Sequence, residues 1–206
     1  MKLFSEMMAG QTLLPIIQAD SVEQGVAIAK AMAEAGLKVV EVVLRSEASL
    51  DALTAIKQQL PELIVGAGTV LDKDILAQAL AAKADYIVTP CVTPDLLAAL
   101  AESGVPAIPG VANCADIALA RDAGFREVKL FPASLAGGIP FLKAVSSVFR
   151  DMTFCPTGGI NADNCADFLA LPNVIAVGGT WVAKKEWVDA QDWQAITDAC
   201  REAISK

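Results

Sequence analysis

The feature that most limits how this chain can fold is a repeated alternation. Short runs rich in Val, Ile and Leu are each followed by a stretch with helical apolar spacing, and the pair recurs at roughly 20–25 residue intervals. The strand-like runs are Leu13–Ile17, Val39–Arg45, Leu63–Val70, Asp85–Pro90, Pro106–Val111, Glu127–Ala133, Thr153–Thr157 and Val174–Val177. Helix starts follow them. Asp20 or Ser21, Asp72, Thr93 with Pro94, Asn113, Asn161 and Asp192 are residue types that accept the first free backbone N–H groups of a helix. A further short helix is expected over Met1–Ala9, ahead of the first strand.

Strict strand–helix alternation requires a parallel sheet covered by helices. Eight such units predict an α/β fold of the (β/α)8 barrel type. A doubly wound open sheet is the competing arrangement, and it usually has fewer strands. No polar linker or shift in composition divides the chain, so residues 1–206 are expected to form one domain.

Within this frame two charged residues are out of place. Lys129 sits inside Val128-Lys129-Leu130-Phe131, and Glu41 inside Val39-Val40-Glu41-Val42-Val43. An edge strand can carry a lysine that blocks unwanted pairing. In a barrel there is no edge, so both side chains would be buried. A structural ion pair is the plain explanation, but such pairs rarely stabilise a core better than apolar residues do. The chemical explanation is that a buried amine that sheds its proton becomes a nucleophile able to form an imine with a carbonyl. A neighbouring carboxylate can then move protons. Arg45 shares the face of Glu41 by strand periodicity and lies at the C-terminal end of the strand, where barrel enzymes place their sites.

Glycines mark the same end of the molecule. Gly66-Ala67-Gly68-Thr69 closes the third strand, and close packing of strand on helix would account for it equally well. Pro156-Thr157-Gly158-Gly159 and Val177-Gly178-Gly179-Thr180 close the seventh and eighth. Loops at those two positions often bind phosphate through backbone N–H groups, though tight turns alone can also use paired glycines. Gly137-Gly138 after the lysine strand is either a loop over the site or a turn.

Composition removes several classes of function. The chain has no histidine, which excludes Ser-His-Asp triads, Cys-His pairs and histidine-bearing metal sites. Its net charge of −8 argues against a broad basic face for nucleic acid or membrane. Five cysteines, none in a C-x-x-C pair, suit reduced thiols in the cytoplasm. Cys91 and Cys155 near strand ends are expected to be small apolar filling. No secretory leader and no apolar run of about 18 residues is expected.

Taken in order, Glu41-Val42-Val43-Leu44-Arg45, Gly66-Ala67-Gly68-Thr69-Val70, Lys129-Leu130-Phe131-Pro132-Ala133, Cys155-Pro156-Thr157-Gly158-Gly159-Ile160 and Gly178-Gly179-Thr180-Trp181 resemble the 2-keto-3-deoxy-6-phosphogluconate (KDPG) and 4-hydroxy-2-oxoglutarate (KHG) aldolases. The resemblance runs from about Pro15 to the C-terminus. It implies a homotrimeric class I aldolase that needs no cofactor and no metal, acting on pyruvate and a phosphorylated keto acid. It implies that Lys129 forms the Schiff base and Glu41 shuttles protons. Arg45 and Thr69 would hold the carboxylate end, Pro90 would line the site, and Thr157 would face the hydroxyl at the reacting bond. Gly158, Gly159, Gly179 and Thr180 would take the phosphate. Two departures from the pattern are Thr180, where serine is expected, and Ser134, where glutamate is expected after Phe-Pro-Ala. The strand-one ending Gln18-Ala19-Asp20 matches no role in it. The implied reaction is reversible cleavage of KDPG to pyruvate and glyceraldehyde 3-phosphate, with KHG, giving glyoxylate, as a second substrate. The rivals are the galactonate-series aldolase and a phosphosugar isomerase or epimerase on the same barrel.

Overall fold

The computed structural model describes residues 3–205. Met1 and Lys2, the first part of the expected N-terminal helix, lie outside the described residues. The strands are β1 (Leu13–Ile17), β2 (Val39–Val43), β3 (Ile64–Gly68), β4 (Tyr86–Val88), β5 (Ala107–Ile108), β6 (Gly110–Val111), β7 (Glu127–Leu130), β8 (Thr153–Phe154) and β9 (Val177–Gly179). The helices are α1 (Phe4–Met8), α2 (Val22–Glu34), α3 (Ser49–Gln59), α4 (Lys73–Ala81), α5 (Pro94–Glu102), α6 (Cys114–Asp122), α7 (Gly138–Ser146), α8 (Cys165–Leu169), α9 (Lys185–Asp189) and α10 (Trp193–Ile204).

All strand pairs are parallel. They form a curled α/β arrangement in two named sheets. One has the order β5-β4-β3-β2-β1-β9, the other β6-β7-β8. The expected fifth strand, Pro106–Val111, is therefore split into β5 and β6. Pro109 stands at the break, and a proline cannot donate to a ladder. Its carbonyl still accepts from Lys129 N–H at 2.9 Å, so the chain continues straight from one sheet into the other. Isolated parallel bridges join Phe154 to Val174 and Thr157 to Gly178. The eighth strand is accordingly centred further along than expected, at Val177–Gly179 rather than Val174–Val177.

Neither strand bearing an out-of-place charge is an edge. β2 lies between β1 and β3, with Glu41 opposite Ile16 and Gly66. β7 lies between β6 and β8, with Lys129 opposite Gly110. Every residue of both strands is buried, charged ones included.

The helix starts follow the side-chain chemistry at five positions. Ser21, Asp72, Thr93, Asn113 and Asp192 each accept from a backbone N–H in the first turn. Asn161 differs: it accepts from Asp163 and Asn164 N–H in a turn, and helix α8 begins only at Cys165. The asparagine side chain there satisfies its own loop instead of a helix. Helix α9 was not anticipated.

Helix α1 covers the N-terminal end of the strands. Phe4 is fully buried and packs on Tyr86 at 5.1 Å between ring centroids. Ser5 N–H donates to Glu127 Oε2 at 3.0 Å, which gives that buried carboxylate a partner. Phe4, Met7, Met8, Leu14, Val39, Tyr86, Val88, Ile108, Cys155 and Ala176 make an inner core separate from the layer between strands and helices. With its N-terminal end filled, the interior is reached from the C-terminal ends of the strands.

Candidate active site

A cavity of about 170 Å³ opens at those C-terminal ends. Lys129 and Phe131 on and after β7 line it, with Arg45 after β2. Thr157, Gly158 and Gly159 follow β8, Gly179 ends β9 and Thr180 follows it. Ile16, Gln18 and Ile160 complete the wall. The wall carries two cationic side chains, Arg45 and Lys129, and no carboxylate. Its field therefore favours an anionic ligand.

Lys129 is 3% exposed and Glu41 is not exposed at all. Lys129 Nζ lies 3.5 Å from Glu41 Oε1. That is longer than the 2.7–2.9 Å of a charge-assisted hydrogen bond, and both Glu41 oxygens lack a hydrogen-bond partner among the described residues. A buried carboxylate with unused acceptors is costly unless something else pairs with it. The Phe131 ring lies 5.0 Å from Nζ and walls the amine on another side. Such a site holds an amine that faces the cavity and a base within reach of that amine.

Gly68 makes this geometry possible. It ends β3 beside β2, and a Cβ built there would overlap Glu41 Oε1 and lie 2.7 Å from its Cδ. Only hydrogen leaves room for the carboxyl group. Tyr86 forms the layer beneath. Its ring occupies the space that Gly66 leaves, and its hydroxyl donates to the Val40 carbonyl at 2.7 Å. Burial and then the Glu41 charge push the Tyr86 phenol well above its ordinary range, so it stays a neutral donor. Burial, with a smaller contribution from Glu41 opposing the pull of Lys129, likewise raises the Cys155 thiol to about 12. Cys155 is inert filling, as the sequence suggested; Cys91 is exposed.

Arg45 lies beyond the end of β2 and is exposed, and its Nε donates to Thr69 Oγ1 at 3.0 Å. Thr69 has φ of 63°, the left-handed region that a β-branched residue adopts only at a cost. This conformation turns the chain after β3 and sets the hydroxyl against the guanidinium. Thr69 does not itself line the cavity, and neither does Pro90, which packs against Gly110. Glu41 lies behind Lys129 and reaches the cavity through it.

The two Gly-Gly segments meet on the opposite side. Thr157 bridges to Gly178, and Gly178 N–H donates to the Pro156 carbonyl at 2.9 Å. Gly158 and Gly159 have φ of 93° and 80°, which lets their loop turn tightly above β8. Ser134 closes on this loop: its N–H donates to the Gly158 carbonyl at 3.0 Å, and its hydroxyl fills the space beside Gly159. Asn164 donates to the Gly159 carbonyl from the other side. Of the expected site residues, Lys129, Arg45, Thr157, Gly158, Gly159, Gly179 and Thr180 thus share one cavity. Ile16, Gln18, Phe131 and Ile160 were not anticipated. Gln18 alone gave a signal, as a polar residue just past an apolar strand. Among the described residues no group of three or more Cys, Asp or Glu side chains gathers as a metal site would require.

Comparison with known proteins agrees with this arrangement. The sequence model described as KDPG and KHG aldolase matches residues 4–199. The 2-dehydro-3-deoxy-phosphogluconate aldolase of Pseudomonas aeruginosa is 44% identical over 94% of this chain and 88% of its own. The KHG/KDPG aldolase of Escherichia coli K12 is 41% identical over 93% of this chain and 90% of its own. A crystal structure of the KDPG aldolase from Legionella pneumophila superposes with a TM-score of 0.94, at 37% identity and 97% coverage of both chains. In it, pyruvate was captured at low pH as a covalent carbinolamine intermediate. On the strength of a match that spans nearly its whole length, the chain belongs to the KDPG and KHG aldolase family.

Proposed function

We propose that the chain is a class I aldolase that reversibly cleaves KDPG to pyruvate and glyceraldehyde 3-phosphate, and also cleaves KHG to pyruvate and glyoxylate. The observation that carries this reading is the Lys129–Glu41 pair: an amine and a carboxylate, both buried, 3.5 Å apart at the edge of a cationic cavity. A phosphosugar isomerase or epimerase needs no amine in that strand.

The cleavage runs as follows. Lys129 Nζ attacks the keto carbon, and the oxygen takes up a proton to give a carbinolamine. Loss of water leaves an iminium. Glu41 accepts the proton of the C4 hydroxyl, the C3–C4 bond breaks, and its electron pair moves into the iminium to give an enamine. The aldehyde departs. Protonation of the enamine carbon and hydrolysis of the imine release pyruvate and restore the amine. Arg45, held by Thr69, binds the pyruvate carboxylate as a charge-assisted pair. Thr157 faces the C4 hydroxyl, and Pro90 limits the site beyond β4. Gly158, Gly159, Gly179 and Thr180 receive the phosphate. Thr180 supplies the hydroxyl that the family pattern expects from serine.

The same reading makes residues 1–206 one domain, closed into a barrel through the Thr157–Gly178 bridge and the continuous Pro106–Val111 segment. It places the protein in the cytoplasm as a homotrimer; among the described residues no helix is long and apolar enough to cross a membrane.

Two measurements test the chemistry around the imine. Pyruvate release from KDPG should persist in a metal chelator, and inorganic phosphate should compete with KDPG while competing far less with KHG. Loss of turnover in chelator with recovery on adding zinc would replace the imine mechanism by a metal one. Gly68→Ala probes the carboxyl position. The added methyl must displace Glu41, so kcat should fall at least about tenfold, while overpacking costs about 1–3 kcal/mol of stability. Normal kcat in a folded Gly68→Ala protein would show that the carboxyl position is immaterial to the reaction.

A further inference from the structure

We propose that Gln18 is a specificity-determining residue that binds the phosphate-bearing half of the substrate and sets the preference for phosphorylated over unphosphorylated keto acids. The inference rests on the aldolase reading and adds to it a residue for which the family pattern offers no role.

Four observations place Gln18 there. It follows β1 directly, at the C-terminal end, and lines the same cavity as Lys129. β1 lies between β2 and β9 in the sheet. Arg45 extends from the first of these neighbours, while Gly179 ends the second and Thr180 follows it. Gln18 is therefore placed between the group that takes the carboxylate and the group that takes the phosphate, next to both.

The side chain is also uncommitted. Gln18 is exposed, and no hydrogen bond ties its amide to another group among the described residues. It also borders two flanking cavities, one beside Ser46 and Ser49 and one of about 210 Å³ beside Gln24, Lys185 and Asp189. An amide with open space around it can turn to meet a ligand without breaking an existing contact. This contrasts with Gln11, whose amide is fully used on Leu13, Lys38 and Val39 at the other end of the strand.

The chemistry suits a phosphorylated chain. The carboxamide presents two N–H donors and carries no charge. It can donate to a phosphate oxygen without adding a third cation to a wall that already holds Arg45 and Lys129. A short substrate such as KHG ends before it reaches this part of the wall, so it gains nothing from the amide. A phosphorylated six-carbon acid spans it.

The test compares the two substrates across two variants. In Gln18→Leu, which keeps bulk and removes the donors, the ratio of kcat/KM for KDPG over KHG should fall about 10-fold, and at most about 100-fold, the range expected for one hydrogen bond to a charged group. In Gln18→Glu the ratio should fall further, because a carboxylate repels the phosphate. Borohydride trapping of pyruvate is measured on the same proteins. If the native protein traps no pyruvate, the aldolase reading fails, whatever Gln18 does. If trapping succeeds and the ratio stays within about twofold of native in both variants, the assignment of Gln18 is wrong. A parallel fall for both substrates would also overturn it, since that would make Gln18 a general support of the cavity.

Discussion

Lys129→Ala should abolish both cleavage of KDPG and the borohydride-stable adduct with pyruvate. Without the amine no imine forms, and without the imine the electrons of the C3–C4 bond have no acceptor; the remaining binding groups cannot replace it. Reduction of the native protein in pyruvate should place the adduct on the peptide that carries Lys129. The structure makes the site selective. Lys129 is the lysine that lines the cavity, whereas Lys185 is exposed and paired with Asp189, and Lys184 lies over the Trp187 ring. An adduct on Lys184 or Lys185 would remove the assignment. The alanine variant also leaves a void where the buried lysine stem packed, and large-to-small changes in a core typically cost about 2–5 kcal/mol. Lys129→Met, which restores the volume, should be the more stable of the two and equally inactive. A thermal midpoint for each separates lost chemistry from lost fold.

How much of this could be taken from the chain alone depends on what each residue has to satisfy. Lys129 and Glu41 were legible because a charge inside a β-branched run is anomalous wherever the strand is interior, and alternation with helices makes it interior. That the two glycine pairs approach one cavity was legible because they fall at the ends of the last two strands. What was not legible depends on contacts between elements far apart in sequence. Gly68 looks like one half of a weak G-x-G, yet its role is set by a carboxyl group on the neighbouring strand. The Arg45–Thr69 bond joins two strand ends 24 residues apart and depends on a left-handed threonine that no propensity would suggest. Thr69, expected to hold the carboxylate end with Arg45, touches Arg45 but stays outside the cavity wall, and so does Pro90, expected to line the site. The break at Pro109 is masked in the sequence by the apolar run around it. Tyr86 gives no local signal of its place, which is that of a spacer beneath Glu41. Asn161 shows that a residue suited to capping also suits a turn, and the local sequence does not separate the two.

Glu41→Gln divides the mechanism into steps. Glutamine keeps the shape of the side chain and removes the base. General acid–base groups contribute about 10²–10⁴-fold, so kcat for KDPG cleavage should fall by that factor. KM should change little, because Arg45 and the glycine loops hold the two ends of the substrate. A loss confined to KM would mean that Glu41 only binds substrate. The competing explanation is that Glu41 exists to neutralise Lys129. Then the amide would leave a buried ammonium unpaired, and the apo protein should lose several kcal/mol of stability with near-normal kcat below its midpoint. The geometry favours the shuttle. At 3.5 Å the two groups do not form a close charge-assisted bond, and neither carboxylate oxygen is satisfied by any other donor among the described residues. A side chain kept for neutralisation would be expected to close that distance and to recruit backbone N–H groups, as Glu127 does with Ser5 at the other end of the strands. Glu41 instead keeps its oxygens free of hydrogen bonds beside the amine, with Gly68 leaving room for its carboxyl group. Those are the conditions a proton acceptor needs when the substrate hydroxyl arrives. The decisive pair of numbers is kcat and the apo thermal midpoint: a large fall in the first with a nearly unchanged second is the expected result, and the reverse pattern would assign Glu41 to stability alone.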